Sequence, residues 1–371
     1  MKIAICGDLL LRTPAQHILG KSLKEKLQQC DIRCVNFEVP IEVNNGKGIH
    51  KSGPVHSQSD DSPRWVIENG FNLITFANNH TMDYGQEGLK KTLEAFESVD
   101  ITGVGTYDSA YDICVIEKEG LKIGFLGLTH KEFGCVDVMS GQTWGTAAIT
   151  SPRAFLSIAN AKKSVDRLYI LAHAGVEKTS VPLPEWKELY RTFIDLGADG
   201  VIASHPHVPQ GYEIYHGCPI IYSMGNFLFE SGKLSQKAIN EFISLMVIIN
   251  QSDNSFEVLP LIYDYRNHTV DIDESSETKQ YIESLNSLLK EDKYKIAFCD
   301  ELKRLQPTYH SLMVAGGAYS ISLKEKLKNI IRPLIGRKPW KPDSVHLLNL
   351  FQCESHRWMM MHYLKNRDNN S

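Results

Sequence analysis

Six polar side chains that each lie next to a predicted buried strand offer the donor atoms of a metal centre. In chain order they are Asp8, Glu38, Asn79, His173, His205 and His207. Carboxylate and amide oxygens together with imidazole nitrogens suit borderline divalent ions such as Mn, Fe or Zn. One carboxylate shared between two such ions would hold them as a pair that activates water. The residue set therefore predicts two divalent metal ions in a hydrolytic centre.

Each member of the set also has a structural explanation when it is taken alone. An aspartate after a strand is often a turn residue, and a lone histidine at a strand end is often a hydrogen-bonded core residue. The pair His205 and His207 is more specific, because Pro206 holds an extended segment in which alternate residues point to the same side. The six residues in this order favour a metal centre over separate coincidences.

A histidine next to the candidate ligand Asn79 indicates acid–base chemistry. His80 can protonate a leaving group without binding a metal. Asp83 follows shortly after it, just before a helix predicted over residues 85–99. Two interpretations of Asp83 remain at this point, because it either caps that helix or belongs to the site.

Alternating strand and helix patterns place these residues at strand ends. Runs rich in β-branched residues predict buried strands over 2–6, 71–76, 122–128, 167–173, 199–204 and 219–224. The clearest helix is 184–196, where apolar residues recur at helical spacing between Pro184 and Gly197. Residues 242–250 and 256–263 predict a late antiparallel hairpin. The alternation predicts an α/β fold with the site at the strand-exit edge.

The composition is that of a globular protein and argues against a nucleic-acid partner. The 371 residues are 42% hydrophobic and 23% charged, with a formal net charge of −4. These fractions exclude a mainly disordered or fibrous chain, and the negative charge does not suit a protein that coats nucleic acid. Fourteen histidines add capacity for metal binding and for proton transfer at neutral pH.

The cysteines and the N-terminus predict a cytoplasmic location. The eight cysteines contain no CxxC pair, and they do not have the spacing of a disulfide framework, which favours a reducing compartment. The N-terminus lacks the apolar region of a signal peptide, and no run of about 20 apolar residues would span a membrane. We expect a cytoplasmic protein that can also lie at the membrane surface.

The pattern changes after about residue 265, which predicts a domain over 1–265 and a basic, mostly helical extension over 266–371. Residues 300–371 carry twelve Lys and Arg against six Asp and Glu. Residues 271–278 are acidic and are predicted to form a loop. Residues 321–341 combine an apolar stripe with basic side chains, so they either lie on an anionic membrane or dock on the core. Because every candidate ligand precedes the extension, we expect removal of its C-terminal part to leave catalysis largely intact.

The order of the site residues resembles that of the calcineurin-like metallophosphatase superfamily, and the finer pattern is similar to the capsule-biosynthesis CapA family. The matching segments are GDLLL (7–11), NFEVPI (36–41), ANNHTMDYGQEGL (77–89), HAGVE (173–177), FIDLGADGVIASHPHVPQ (193–210) and IIYSMGNFLFE (220–230). The resemblance covers roughly residues 1–265 and implies a four-layer sandwich of two mixed β-sheets flanked by helices.

The resemblance also implies a role for each site residue. One metal would be held by Asp8, Glu38 and His207, and the second by Glu38, Asn79, His173 and His205, with Glu38 as the bridge. His80 would act as the acid, and Asp83 would orient it. Glu177 and Asn226 would lie on the substrate side, with a tight turn under the site as the alternative role for Asn226.

The function implied by the resemblance is that of a phosphoesterase-type hydrolase in making or exporting a capsule or surface polymer such as poly-γ-glutamate. The substrate would be an anionic polymer or a phosphoester. Two alternatives remain: a hydrolase or transferase of γ-glutamyl amides, and a non-catalytic assembly component with a vestigial metal site. The superfamily opens with Asp-x-His, whereas Leu10 stands two residues after Asp8. The CapA family shares this departure, which leaves the first metal with three protein ligands and predicts a weaker site.

Overall fold

Two β-sheets that face each other form the centre of the structure. The structure is a computed structural model, and it describes residues 1–43, 46–230, 238–253, 255–315, 330–332, 334, 336 and 344–368. The strands in chain order are β1 (Lys2–Leu10), β2 (Ile18–Leu19), β3 (Ile32–Phe37), β4 (Leu73–Thr75), β5 (Asp100–Thr102), β6 (Val104–Thr106), β7 (Cys114–Lys118), β8 (Leu121–Thr129), β9 (Trp144–Thr146), β10 (Arg167–His173), β11 (Gly200–Ser204), β12 (Pro209–Tyr215), β13 (Cys218–Met224), β14 (Asn226–Phe229), β15 (Ile243–Asn250), β16 (Ser255–Asp264) and β17 (Thr269–Ile272). The helices are α1 (Lys21–Gln28), α2 (Ser62–Glu68), α3 (Gly85–Glu94), α4 (Pro152–Ala161), α5 (Pro184–Asp195), α6 (Ser276–Leu288), α7 (Glu291–Ala315), α8 (Ser344–Gln352) and α9 (Glu354–Asp368). Short 3₁₀ turns cover Pro14–Gln16 and Ile239–Glu241.

The elements predicted from the sequence are present. The six predicted buried runs correspond to β1, β4, β8, β10, β11 and β13, and the predicted hairpin is the antiparallel pair of β15 and β16. The predicted helix over 184–196 is α5, whose residues Trp186, Tyr190 and Phe193 are buried. The helix predicted over 85–99 is α3, which ends earlier, at Glu94.

Each sheet contains a block of four parallel strands. The first sheet has the order β2-β17-β16-β15-β1-β3-β4-β5, with β14 also paired to β1, and β1, β3, β4 and β5 run parallel. The second sheet has the order β12-β13-β11-β10-β8-β7, with β8, β10, β11 and β13 parallel. Because the carboxyl ends of parallel strands meet at one edge, side chains that follow them are brought together.

Apolar side chains fill the space between the sheets and cover both outer faces. Ile5 from the first sheet and Phe125 from the second belong to one buried cluster between them. Helices α1, α2 and α3 cover the outer face of the first sheet, and α4 and α5 cover the second. The order helix, sheet, sheet, helix confirms the predicted four-layer α/β sandwich.

The C-terminal region is mostly helical, as predicted, and it packs against the second sheet. Leu302 and Tyr309 of α7, Leu350 of α8 and Met359 of α9 are buried in the same cluster as α4 and α5. Strand β17 lies beyond residue 265 but pairs with β16 in the first sheet. The boundary near residue 265 stays a prediction.

The acidic stretch 271–278 is a loop only at residues 273–275, so that prediction is wrong at both ends of the stretch. Its first residues belong to β17 and its last residues to α6. The carboxylate of Asp271 accepts the backbone N–H of Leu23 at 2.8 Å. The carboxylate of Asp273 accepts hydrogen bonds from the backbone of Ser275 and the hydroxyl of Thr278 at 2.9 and 2.6 Å. Acidic side chains here bind the exposed N–H and O–H donors of helix starts, which the sequence pattern alone did not reveal.

Within the described residues, no helix is long and apolar enough to cross a membrane. The basic segment predicted over 321–341 lies outside those residues except at 330–332, 334 and 336. All eight cysteines are within the described part of the chain, and none forms a disulfide.

Candidate metal centre

The parallel strands of the first sheet carry the oxygen donors to one edge. Asp8 lies near the C-terminal end of β1, and Glu38 directly follows β3. Asn79 comes shortly after β4. Because β1, β3 and β4 are consecutive parallel neighbours, these three side chains lie at the same end of the sheet.

The second sheet carries the imidazoles to the same edge. His173 is the last residue of β10, and His205 follows β11. His207 lies in the short connection before β12. His205 and His207 have φ angles of 101° and 60°, a backbone conformation that costs a residue with a side chain about 1–3 kcal/mol. The contacts of the site must therefore hold this segment in place.

Asp8 joins the two sheets through its carboxylate. Its Oδ1 accepts a hydrogen bond from Asn36 Nδ2 at 2.6 Å, and its Oδ2 accepts the backbone N–H of His205 at 3.1 Å. His173 Nδ1 lies 3.5 Å from Oδ1, and His207 Nδ1 lies 3.8 Å from Oδ2. Burial disfavours the charged form, but the nearby His173 and His207 lower the pKa of Asp8 to about 2. Asp8 is therefore charged at neutral pH.

Asn79, His173 and His205 form a second group of donors. His173 Nε2 lies 3.1 Å from Asn79 Oδ1 and 3.1 Å from His205 Nδ1. Burial lowers the pKa of His173 and lowers the pKa of His205 well below its usual value. The neutral imidazole is the form that binds a metal ion. The three residues are thus close together and in a protonation state that suits coordination.

Glu38 has the most unusual surroundings of the predicted ligands. Both of its carboxylate oxygens are buried without a hydrogen-bond partner, and His207 Nε2 lies 3.9 Å from Oε1. Burial, together with the charges of Asp8 and Glu177, raises the pKa of Glu38 well above its usual value. A carboxylate in such a place is costly unless it is protonated or binds a cation.

The donor set fits divalent metal ions. Asp8, Glu38 and His173 each offer one ligand atom, and these atoms lie within 4.8 Å of one another. The unpartnered oxygens of Glu38 are the atoms that a bridging carboxylate would use. The ions would be held by Asp8, Glu38 and His207 on one side and by Glu38, Asn79, His173 and His205 on the other. Their number and identity stay predictions.

A second cluster, formed by Lys51, His80 and Asp83, lies beside the ligands. Asp83 Oδ2 lies 2.7 Å from His80 Nδ1 and accepts the backbone N–H of His56 at 2.7 Å. Lys51 Nζ pairs with Asp83 Oδ1 and lies 3.1 Å from His80 Nδ1. The expected contact between Asp83 and His80 is therefore present. Asp83 does not cap α3, whose N-cap residue is Tyr84.

The two residues predicted on the substrate side lie in different surroundings. Glu177 is exposed, and its charge still contributes to the raised pKa of Glu38. Asn226 is buried, with its Oδ1 2.9 Å from His207 Nδ1 and its Nδ2 donating to the His207 carbonyl at 3.2 Å. Asn226 thus fixes the ring of His207, and contact of either residue with a substrate stays a prediction.

Two residues that the sequence analysis did not single out support the ligands. Asn36 Nδ2 lies 2.6 Å from Asp8 Oδ1 and 3.1 Å from His173 Nδ1, so it bridges the two sheets. Its position two residues before Glu38 was a usable signal. Lys51 lies in a loop whose sequence has no motif that would indicate a site residue. Only the folding of the chain brings Lys51 next to Asp83.

Two further residues come from the end of β8. The ring centroid of His130 lies 4.3 Å from that of His205, and Glu132 Oε2 accepts a hydrogen bond from Asn79 Nδ2 at 3.2 Å. His130 comes two residues after the strand predicted over 122–128, so the strand-exit rule that identified His173 also applied to it.

The start of α9 reaches these residues from the C-terminal region. Ser355 Oγ lies 3.2 Å from His130 Nδ1, and His356 Nε2 lies 3.8 Å from Glu132 Oε1. The C-terminal region therefore contacts side chains that touch the candidate ligands. The expectation that catalysis survives removal of the C-terminal part of the extension stays a prediction.

Two similar curated proteins are CapA proteins of Bacillus. The chain is 26% identical over 279 residues to capsule biosynthesis protein CapA of Bacillus anthracis, which covers 71% of this chain and 66% of that protein. It is 33% identical over 210 residues to PGA biosynthesis protein CapA of Bacillus subtilis (strain 168), which covers 53% of each. The aligned region thus spans just under two thirds of the first relative and about half of the second.

Solved structures with partial likeness include nucleotidases. The 5′-nucleotidase from Candida albicans SC5314 aligns with 80% of this chain and 58% of its own, at 12% identity and a TM-score of 0.42. The NAD nucleotidase NadN of Haemophilus influenzae aligns with 77% of this chain and 56% of its own, at 14% identity and a TM-score of 0.36. The family model of bacterial capsule synthesis protein PGA_cap matches residues 2–231. The chain belongs to this capsule synthesis family.

Proposed function

We propose that the chain is a two-metal hydrolase of the phosphoesterase type that acts in the biosynthesis or export of a capsule or surface polymer such as poly-γ-glutamate. The observation that carries the proposal is Glu38, a buried carboxylate with two unpartnered oxygens among amide, carboxylate and imidazole donors. When bound to such a set, divalent cations polarise an ester oxygen and provide a nucleophile at neutral pH. Membership of the capsule synthesis family supports the role in polymer production, as do the names of the Bacillus relatives.

His80 is placed to handle the proton of the leaving group. Its Nδ1 lies 2.7 Å from Asp83 Oδ2, so Nε2 is the nitrogen that remains to exchange a proton with substrate. The Asp83 carboxylate stabilises the protonated ring, and Lys51 holds that carboxylate in place through an ion pair. A positioned acid of this kind contributes roughly 10²–10⁴-fold to the rate.

Glu177 marks the side from which substrate would approach. It is exposed, while its charge acts on the buried Glu38. An anionic polymer would be repelled by Glu177 unless bound cations offset that charge. Substrate affinity should therefore depend on metal loading as well as on the polymer itself.

Elemental analysis of the purified chain tests the metal centre. We expect about two Mn, Fe or Zn ions per chain in this centre, and we expect a chelator to abolish turnover of an aryl phosphodiester and added metal to restore it. The matched control is His216→Ala, which removes an exposed histidine that pairs with Asp195 at 3.2 Å and should change neither metal content nor rate. A chain without transition metal that does not respond to added metal contradicts the proposal.

A substrate panel separates the proposed chemistry from its alternatives. The panel contains phosphomonoesters, phosphodiesters and γ-glutamyl peptides, each tested with the metal-loaded chain and with His80→Ala. Turnover of the esters that falls in His80→Ala supports the phosphoesterase. Turnover of γ-glutamyl peptides alone favours an amide hydrolase or transferase, and a metal-loaded chain that turns over nothing favours an assembly component.

The cytoplasmic location and the membrane contact through 321–341 are also proposals. Basic segments bind anionic membranes by charge, and salt weakens that attraction. The full chain should pellet with vesicles that contain phosphatidylserine at low salt and should be released at high salt. Binding that salt does not change would contradict this charge-driven contact.

A further inference from the structure

A second set of potential metal ligands lies outside the centre described above. His130, Glu132 and Cys353, defined here as the auxiliary cluster, each offer one ligand atom, and these atoms lie within 4.8 Å of one another. His130 Nε2 lies 3.9 Å from Glu132 Oε1, and Cys353 Sγ lies 3.8 Å from His130 Nδ1. His130 and Cys353 are almost completely buried, and the Glu132 side chain is 9% exposed.

Hydrogen bonds within the protein do not satisfy this cluster. His130 Nε2 is buried and has no hydrogen-bond partner. Its other nitrogen, Nδ1, lies 3.2 Å from Ser355 Oγ, which also accepts a hydrogen bond from Trp186 Nε1 at 3.1 Å. A metal-binding histidine usually donates its second ring N–H to such a partner, because this contact fixes the tautomer and the orientation of the ring. His130 therefore has the arrangement of a ligand that binds through Nε2.

We propose that His130, Glu132 and Cys353 bind an additional divalent ion, for which Zn²⁺ is the best-suited metal. Imidazole, carboxylate and thiolate are the three side-chain types that bind Zn²⁺, and the soft thiolate disfavours Mg²⁺, Ca²⁺ and Mn²⁺. His356 offers a further donor, since its Nε2 lies 3.8 Å from Glu132 Oε1. Its Nδ1 lies 3.1 Å from Tyr309 Oη, so His356 is oriented in the same way as His130.

The auxiliary ion would join the C-terminal region to the end of β8. Cys353 lies at the junction of α8 and α9, whereas His130 directly follows β8. The cluster also contacts the candidate metal centre, because Glu132 accepts a hydrogen bond from Asn79 and the ring of His130 packs on His205. Binding would release the thiol proton of Cys353, since the thiolate is the form that coordinates. The proposal stands independently of the hydrolase activity.

Cobalt substitution gives a test that does not depend on activity. None of the six candidate ligands of the two-metal centre contains sulfur, so a thiolate-to-cobalt charge-transfer band in the near ultraviolet would report a cysteine ligand. We expect chelator-treated full-length chain titrated with Co²⁺ to develop this band, with an intensity of about one thiolate–cobalt bond per chain. Zinc added afterwards should abolish the band by displacement.

Variants assign the band to one cysteine. Cys353→Ser should lose the band and bind one metal ion fewer than the wild type. Cys353→Ala, which keeps an apolar group at this buried position, provides the same comparison if the serine variant does not fold. The matched control is Cys135→Ser, because Cys135 is also buried beside His130, donating to its carbonyl at 3.7 Å, but is not in the cluster. A wild-type chain without the band, or a band that persists in both Cys353 variants, overturns the proposal.

Discussion

The two sheets contribute different chemistry to the edge that they share. The first sheet supplies the oxygen donors Asp8, Glu38 and Asn79, and the second supplies the imidazoles His173, His205 and His207. Burial favours the uncharged form on both sides, raising the pKa of Glu38 and lowering the pKa of His205. The two edges nevertheless differ, because Asp8 keeps its charge while His173 and His205 are neutral.

This difference shows why a cation fits between the sheets. Neutral imidazoles have lone pairs to donate, and both carboxyl oxygens of Glu38 on the oxygen edge are buried without a hydrogen-bond partner. A metal ion would meet both needs at once. Each sheet alone has an incomplete set of donors, so the site exists only when the two sheets are packed together.

The largest effect is expected from the shared carboxylate on the oxygen edge. Glu38→Gln removes a charge that would serve both metal ions, so both should be lost and activity should fall by more than the roughly 10⁴-fold upper end for a missing acid. His205→Gln on the imidazole edge should remove one ion and leave the other. Metal counting by elemental analysis distinguishes the two variants. Equal losses in both variants would show that Glu38 is not shared.

In the metal-free protein, the same Glu38→Gln substitution should raise the stability of the fold. A carboxyl with a raised folded-state pKa stabilises the fold least at high pH, because stability is lost as pH rises from the unfolded pKa of about 4.3 through the folded value. Chelator-treated Glu38→Gln should therefore be more stable than chelator-treated wild type. The gap should widen as pH rises above about 5, by up to about 1.4 kcal/mol per pH unit, until the folded-state pKa is passed. Urea unfolding at a series of pH values measures it, and a constant gap would contradict the raised pKa.

Both edges were foreseeable from sequence because parallel strands impose a simple rule. The ends of β1, β3, β4, β10 and β11 meet at one edge, so polar residues after apolar runs were enough to group the six ligands. Short runs rich in β-branched residues located most of the buried strands. The ends of the acidic stretch 271–278 were misread because Asp271 accepts a backbone N–H from the distant helix α1, while Asp273 accepts the backbone N–H of Ser275, the N-cap residue of α6.

His80 is a histidine on the first sheet, which supplies the oxygen donors. Its substitution tests whether every histidine at this edge is a metal ligand. Its Nδ1 is held by Asp83, so His80→Ala should keep both metal ions and lose roughly 10²–10⁴-fold in turnover. Asp83→Asn should lose less, because the ring remains. Turnover and metal content are measured on the same preparation. Loss of metal in His80→Ala would make His80 a ligand and contradict its assignment as the acid.

The residues missed from the sequence are those that loops and distant helices bring in. Lys51 has no neighbouring pattern, and Cys353 lies 223 residues from His130. The contact of Cys353 depends on how α8 and α9 dock on the second sheet, and the contact of Lys51 depends on how its loop folds onto Asp83. Local periodicity encodes neither. Sequence reasoning thus found most of the residues that strands place, although it passed over Asn36 and His130, and it missed the residues that tertiary packing places.

Helix α9 packs against the second sheet, which carries the imidazole edge. Substitution of a buried methionine on this helix tests how much that packing contributes to the stability of the fold. Met359 is 1% exposed in the cluster that covers the second sheet, so Met359→Ala should destabilise the fold by about 2–5 kcal/mol. Met361 on the same helix is 46% exposed, and Met361→Ala should change stability by less than about 0.5 kcal/mol. Urea unfolding of the metal-loaded chain compares them. Equal and small effects would mean that α9 is not part of the core.

The smallest effect is expected from adding an imidazole to the oxygen edge at position 10. Leu10 is buried against Val39 and Phe229, and the ring of Phe229 lies 4.7 Å from that of His207. In the chelator-treated protein, Leu10→His buries a polar group among apolar neighbours and should lower stability by about 1–3 kcal/mol. Leu10→Met conserves the volume and should cost less than about 1.5 kcal/mol.

Metal should narrow the difference in stability between these two variants if the imidazole reaches the first ion. The ion at Asp8, Glu38 and His207 has three protein ligands, and a fourth should tighten its binding in Leu10→His but not in Leu10→Met. Calorimetric titration should then show two unequal affinities in the wild type, with the weaker one about tenfold stronger in Leu10→His, which corresponds to about 1.4 kcal/mol. Part of the lost stability would return with the metal, because a ligand that binds only the folded state stabilises it. If Leu10→His stays destabilised and its weaker affinity is unchanged, the apolar cluster holds position 10 away from the metal, and the low ligand count is a fixed property of this edge.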